Sequence, residues 1–167
     1  MNEEQYSRAN KRVLLAIVVV FGYIAATLML ALVVSQGGHA SKIMMEAVTA
    51  AAVIVISVAA YLGKRTTRTC AVIMTLSMMI GYFVIVQLNT TVGTWTYGLP
   101  MLIAAMVYLD KKIVMMTNGI ALVAIIVHLV RCFLGGGSDL RNNVIGLFVL
   151  LLTAYACNSA ERLLERF

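Results

Sequence analysis

Between Val13 and Ala156 the sequence is a succession of apolar runs, each interrupted by a short polar stretch before the next begins. Roughly 20 apolar residues of helix cross the ~30 Å core of a bilayer, and a helix satisfies its own backbone donors and acceptors where no water is present. Six segments meet or approach that length: 13–34, 43–62, 70–87, 92–109, 113–134 and 144–156. The breaks between them are abrupt. "SQGGHASK", "GKRTTRT", "DKK" and "GGGSDLRNN" carry glycine, hydroxyls or charge that end an apolar helix or keep the chain out of hydrocarbon. The expected fold is an all-α integral membrane protein, with six transmembrane helices in up-down hairpins. A cytoplasmic amino-terminal segment, 1–12, precedes the bundle, and the last helix extends into the cytoplasm over 157–167.

The first run is too long for the apolar region of a signal peptide, and "SQGGHASK" is a poor cleavage site, so this segment is expected to stay as an anchor. The fourth segment has a short apolar run. Pro100 in "TWTYGLPMLIAAMVYL" removes a backbone donor near its beginning, so it spans only if its helix starts around Val92 to Trp95. Asp110, just before "KK", is placed to cap the fifth segment.

Composition agrees with this reading: 62% of residues are hydrophobic, 12% are charged and the mean hydropathy is +0.94. The net charge of +6 does not indicate nucleic acid, because the cations stand at segment edges instead of forming a phosphate-binding face. They sort by side. Arg8, Lys11, Arg12, Lys64, Arg65, Arg68, Lys111, Lys112, Arg162 and Arg166 fall at one end of the hairpins, and Lys42, Arg131 and Arg141 at the other. Positive charge collects on the cytoplasmic side, so both termini are expected in the cytoplasm of a multi-pass cell-membrane protein. The lipid bilayer is the first partner implied. Cys70, Cys132 and Cys157 form no CxxC pair and indicate neither a disulfide framework nor a metal site.

The sixth segment continues past its apolar limit. Val149, Thr153, Ala156, Ala160, Leu163 and Phe167 recur at the alternating four- and three-residue spacing of a coiled-coil seam. Ala156 and Ala160 permit close approach by a partner helix, and Glu161, Arg162, Glu165 and Arg166 flank the seam. The alternative is an amphipathic end resting on inner headgroups with Arg162 and Arg166 as anchors. No Gly, Pro or cap follows Leu164, so the helix is expected to run on.

The six-span arrangement, the stretch "YGLPMLIAAMVYLDKKIVMMTN" and a last span running directly into "RLLERF" resemble the membrane sensor regions of clostridial-type methyl-accepting chemotaxis proteins. Similar multi-span sensors precede diguanylate cyclases and histidine kinases. The resemblance implies the input half of a bacterial signal-transducing receptor of chemotaxis, homodimeric through the sixth helix, with a cytoplasmic signalling module beyond residue 167. No cofactor is implied.

Ionisable groups inside a bilayer cost roughly 2.5 to 3.5 kcal/mol at a helix centre, so each requires a reason. Glu46, His128 and Arg131 fall within the outer parts of segments two and five, and Gln87, Trp95 and Tyr97 reach a similar level. Together these six form a candidate ligand-binding pocket with aromatic walls and a few polar groups. Each has a plainer explanation as well. Lys42 stands one turn before Glu46, Arg131 can snorkel to headgroups, Trp95 and Tyr97 fit an interfacial aromatic belt, and His128 can bond a neighbouring helix. Catalysis finds no support: the two histidines, His39 and His128, have no carboxylate or cysteine at metal-ligand spacing, and no nucleophile or phosphate-loop motif occurs. The competing classes are a small transporter or channel-like protein, which calls for polar groups near the midplane and an internal repeat, and a structural membrane partner subunit.

Overall fold

The computed structural model describes residues 2–34, 40–88, 94–134 and 140–164, except for the side chains of 94, 140–142 and 161–164. Among the described residues there are six α-helices: α1 (Glu3–Val34), α2 (Ala40–Lys64), α3 (Arg68–Leu88), α4 (Gly98–Met106), α5 (Lys111–Leu134) and α6 (Leu140–Leu164). A short 3₁₀ turn, Thr94–Tyr97, leads into α4, and no strand occurs among the described residues. Among the described residues, five helices are long and apolar enough to cross a membrane; Trp95–Met106 is shorter. At 1.5 Å per residue, α4 with its leading turn reaches about 20 Å, less than the hydrocarbon thickness.

Helix α1 starts ten residues before the apolar run, and its first turn explains why. The Asn2 side-chain oxygen accepts from the Gln5 N–H at 2.9 Å, and the Gln5 side-chain oxygen accepts from the Asn2 N–H at 2.8 Å. This reciprocal cap satisfies two donors that the helix end leaves free. At the start of α5, Asp110 fills the capping role read from its position: one carboxylate oxygen accepts from the N–H groups of Lys112 and Ile113 at 3.0 and 3.4 Å. The turn before it is tight, with Leu109 in the left-handed region at φ 49°. Pro100 sits in the first turn of α4, where a missing N–H breaks no intrahelical bond.

Helix α3 is the centre of the bundle and touches α1, α2, α4 and α5. Its residues Cys70, Met74, Met78, Met79, Tyr82 and Val86 are all buried, and unbranched methionine fills the irregular gaps left where several helices converge. Helices α1 and α2 present narrower inward stripes, Val13–Ile17–Phe21–Ile24 and Glu46–Ala50–Val53–Ser57. The three helices meet at Gly81: a β-carbon there would lie 2.4 Å from a Val53 methyl and 3.1 Å from the Phe21 ring. Ser57 and Ser77 share a buried hydrogen bond of 3.1 Å across α2 and α3.

The outward faces are apolar. Leu15, Val19, Met29, Val48, Val55, Ile103 and Phe148 are all exposed, a surface far beyond what a soluble monomer presents to water. That surface is stable against hydrocarbon, which makes this a helical membrane protein.

Side-chain ties reveal the helix directions. Asn10 of α1 donates to the Arg65 carbonyl at 2.8 Å, and Arg68 pairs with Asp110 at 2.6 Å, so the start of α1, the α2–α3 junction and the α4–α5 junction share one end. At the other end Arg131 bonds the Gln87 carbonyl and Asn143 bonds Cys132. The cations Arg8, Lys11, Arg12, Lys64, Arg65, Lys111 and Lys112 thus belong to the first end, and Arg131 to the second. The side chains of Arg141 and Arg162, and the whole of Arg166, lie outside the described residues.

Candidate functional site

Three of the six candidate residues gather where α3 and α5 end side by side. Gln87 Nε2 donates to the Ala124 carbonyl at 2.9 Å, while the Gln87 main-chain oxygen accepts from Arg131. His128, 5% exposed, lies one turn before Arg131 on the same helix. Its Nε2 stands 3.6 Å from the Cys132 sulfur, which in turn accepts from Asn143 Nδ2 at 3.4 Å. Gln87 Oε1 is buried without a hydrogen-bond partner, and the buried His128 ring faces the Val86 backbone. The result is a polar cluster that links α3, α5 and α6 and retains unused hydrogen-bonding capacity. Such capacity in an apolar setting favours a polar ligand group or a bound water.

Glu46 and Tyr97 form a second group. Glu46 is buried on the inward stripe of α2, with Lys42 one turn before it and within electrostatic reach. Tyr97 stands within electrostatic reach of both Glu46 and Tyr23 of α1. The Ser57–Ser77 bond and the Val53–Gly81 contact set the register of α2 against α3 and put Glu46 level with Leu88, at the height of Gln87. Gly98, adjacent to Tyr97, packs against the Tyr82 side chain.

Trp95 belongs to neither group. Its ring lies over Gly146 of α6, where a β-carbon would come within 2.5 Å of the ring, and its carbonyl accepts from the Tyr82 hydroxyl at 3.3 Å. The 3₁₀ turn explains the separation from Tyr97, since residues two apart on such a turn point in widely different directions. Thus the structure brings Gln87, His128 and Arg131 together, brings Tyr97 near Glu46, and commits Trp95 to α6.

Sequence reasoning missed four participants: Tyr23, Cys132, Asn143 and Gly146. Cys132 follows His128 by four residues, a same-face spacing that corrects the reading of His128 as having no cysteine within ligand spacing: the two side chains stand 3.6 Å apart. Asn143 sits in "GGGSDLRNN", read as connector, although α6 already begins at Leu140. Nothing in the local sequence marks Gly146 as the seat of an indole from a different segment.

The seam expected on α6 lies beside its inward face. Asn143, Gly146, Leu150, Ala154 and Cys157 are buried in the bundle, whereas Ala156 is exposed and Val149, Thr153 and Ala160 are half-buried. The Leu163 side chain and all of Phe167 lie outside the described residues, as does His39. Helix α5 holds α6 at a second level, where Asn118 Nδ2 donates to the Ala154 carbonyl at 3.4 Å and to Asn158 Oδ1 at 3.3 Å. No protein-family model, curated protein or solved structure matches the chain, so this site is interpreted from its own geometry.

Proposed function

We propose that the chain is the membrane input region of a bacterial signal-transducing receptor, of the chemotaxis type, whose sixth helix relays a ligand or a change in the membrane. In this reading all six helical segments take part in the membrane topology, with α4 as the short crossing, and both termini are cytoplasmic. The observation that carries it is the way α6 is held. One uninterrupted helix, Leu140–Leu164, is gripped by α5 through Asn143–Cys132 near its start and through Asn118 further along, and meets Trp95 between the two. A rigid helix with polar contacts at two levels can turn or slide as a unit, and the exposed Ala156 leaves a small-residue face for a second copy. The ligand site proposed is the Gln87–His128–Arg131 cluster, with Glu46, Tyr97 and Trp95 as its further members.

The transporter reading draws less support. Several buried hydroxyls are satisfied locally, as with Thr117 donating to the Ile113 carbonyl at 2.8 Å and the Ser57–Ser77 bond, an arrangement suited to joining helices.

Disulfide crosslinking of single cysteines along 149–160, in a cysteine-free chain carrying whatever natural sequence follows Phe167, tests the relay. Crosslinking should peak at Val149, Thr153, Ala156 and Ala160 and fall between them; a flat or contrary profile would count against a dimeric signalling helix. Orientation is tested in intact cells with a membrane-impermeant thiol reagent. A cysteine at Ser138, outside the described residues, should label and one at Thr67 should not, and the reverse would overturn the topology.

A further inference from the structure

The basic end of the bundle holds a groove of about 570 Å³ on the α1–α2 surface, with two chemically distinct parts. Arg8, Lys11 and Arg12 line its upper part, and Leu15, Val18 and Tyr61 line its lower part. The spacing along α1 places all five α1 side chains on one stripe. From Arg12 to Val18 the stripe descends about 9 Å, so cations stand at headgroup level while the apolar walls lie at the depth of the upper acyl chain. A second depression of about 510 Å³ shares Tyr61 and adds Lys64, Arg65 and Thr67 at the same end.

The charges in this groove are unequally engaged. Arg8 is paired with Glu4, one turn above it. Among the described residues, neither Lys11 nor Arg12 joins an ion pair. Two free cations above an apolar channel complement a phosphate diester with a hydrocarbon tail, and Glu4, already bound by Arg8, is a poor acceptor for the ammonium of a zwitterionic headgroup.

We infer that this groove is a binding site for an anionic glycerophospholipid, with Lys11 and Arg12 holding the phosphate and Leu15, Val18 and Tyr61 receiving the acyl chain. The inference depends on the chain lying in a bilayer and is independent of the sensor reading. Bound there, the lipid bridges α1 and α2 at their basic end, beside the Asn10 bond that already joins α1 to the turn after α2.

Native mass spectrometry of the purified full chain in mild detergent tests the site, with phosphatidylglycerol and phosphatidylcholine of identical acyl chains as probes. Phosphatidylglycerol should be retained about thirtyfold better than phosphatidylcholine, the scale expected from two interfacial cations at about 1 kcal/mol each. The Lys11→Gln/Arg12→Gln pair should abolish that preference, whereas Lys111→Gln/Lys112→Gln, an equal loss of charge at the same end, should leave it within about twofold. Leu15→Trp, at an exposed position, should lower retention by filling the acyl channel while keeping both cations. Inorganic phosphate at millimolar concentration should not displace the lipid. Equal retention of the two lipids, equal loss in both charge variants, unchanged retention in Leu15→Trp or displacement by phosphate would each overturn the site. A protein dimer dissociated by Lys11→Gln/Arg12→Gln would reassign the groove to a second copy. Helical circular dichroism accompanies every variant, and the exposed Lys11 and Arg12 sites keep the decisive comparison free of folding defects.

Discussion

The two ends of the bundle are closed by different chemistry. At the basic end, Asn10 binds loop carbonyls, Thr67 accepts from the Cys70 N–H, and Asp110 both caps α5 and pairs with Arg68. At the opposite end Gln87, Arg131, Cys132 and Asn143 tie one long helix to another with no cap among them. Water can replace a lost partner at the basic end, where the Arg68 side chain is 47% exposed. At the far end His128 and Asn143 are buried, away from water. The basic end is therefore held by caps and a half-exposed ion pair, and the far end by contacts between buried side chains of neighbouring helices.

The strongest test of that contrast is to force the helices apart at the α6 contact. Gly146→Leu should destabilise the bundle by about 1–3 kcal/mol or more, because the added side chain must displace the Trp95 ring. Trp95 is the only tryptophan. Its fluorescence should shift in the same variant, and an unchanged spectrum with full stability would remove the α4–α6 contact from the picture.

At the basic end, Asp110→Ala should cost about 1–2 kcal/mol in thermal or denaturant unfolding, mostly from the lost cap with a smaller share from the half-exposed ion pair. Asp110→Asn should cost less, since asparagine caps nearly as well. The same pair sets a pH dependence. Hydrogen bonding to Arg68 holds the Asp110 carboxyl below its ordinary range. A depressed folded-state pKa means that the stabilisation is complete above the unfolded carboxylate pKa and is lost as pH falls through the folded one. Acidification below about pH 4 should therefore narrow the difference between the parent and Asp110→Asn, and a difference that grows instead would contradict the pairing.

Asn143→Leu should have the smallest effect on stability, about 0.6 kcal/mol, the average for interhelical hydrogen bonds in bilayers. Its effect on α6 should exceed that figure in consequence: Trp95 emission and crosslinking at Ala156 should change while the Arg68–Asp110 end remains intact. Loss of both ends together would show that the bundle does not divide as described.

Much of this architecture was legible in sequence. The apolar runs around α1, α2, α3, α5 and α6 are long enough to identify spanning helices without any packing information, and Asp110 before Lys111 announced its cap. The candidate site was legible in part. Glu46 and His128 stood out because ionisable groups in apolar helices are costly, but their partners come from other segments. Tyr97 and Trp95 read as one aromatic pair because they are only two residues apart, and a single 3₁₀ turn sends them to different neighbours. The early start of α1 was missed because the Asn2–Gln5 cap is a local polar motif, whereas the span was read from hydrophobicity.

Sequence alone determined that this protein is helical and belongs in a bilayer, because segment length and hydropathy are sums over neighbouring residues that no tertiary contact can reverse. It also determined the sorting of cations to segment edges, since charge is excluded from hydrocarbon wherever the helices sit. Only the tertiary structure decided that α3 lies at the centre, that Gly81 and Gly146 are points of close approach, and that Gln87, Arg131 and Asn143 meet around α5. Those outcomes depend on which faces of separate helices come together, and in lipid that choice is made by shape and a few polar contacts, without a hydrophobic drive between helices to leave its periodic mark in the sequence.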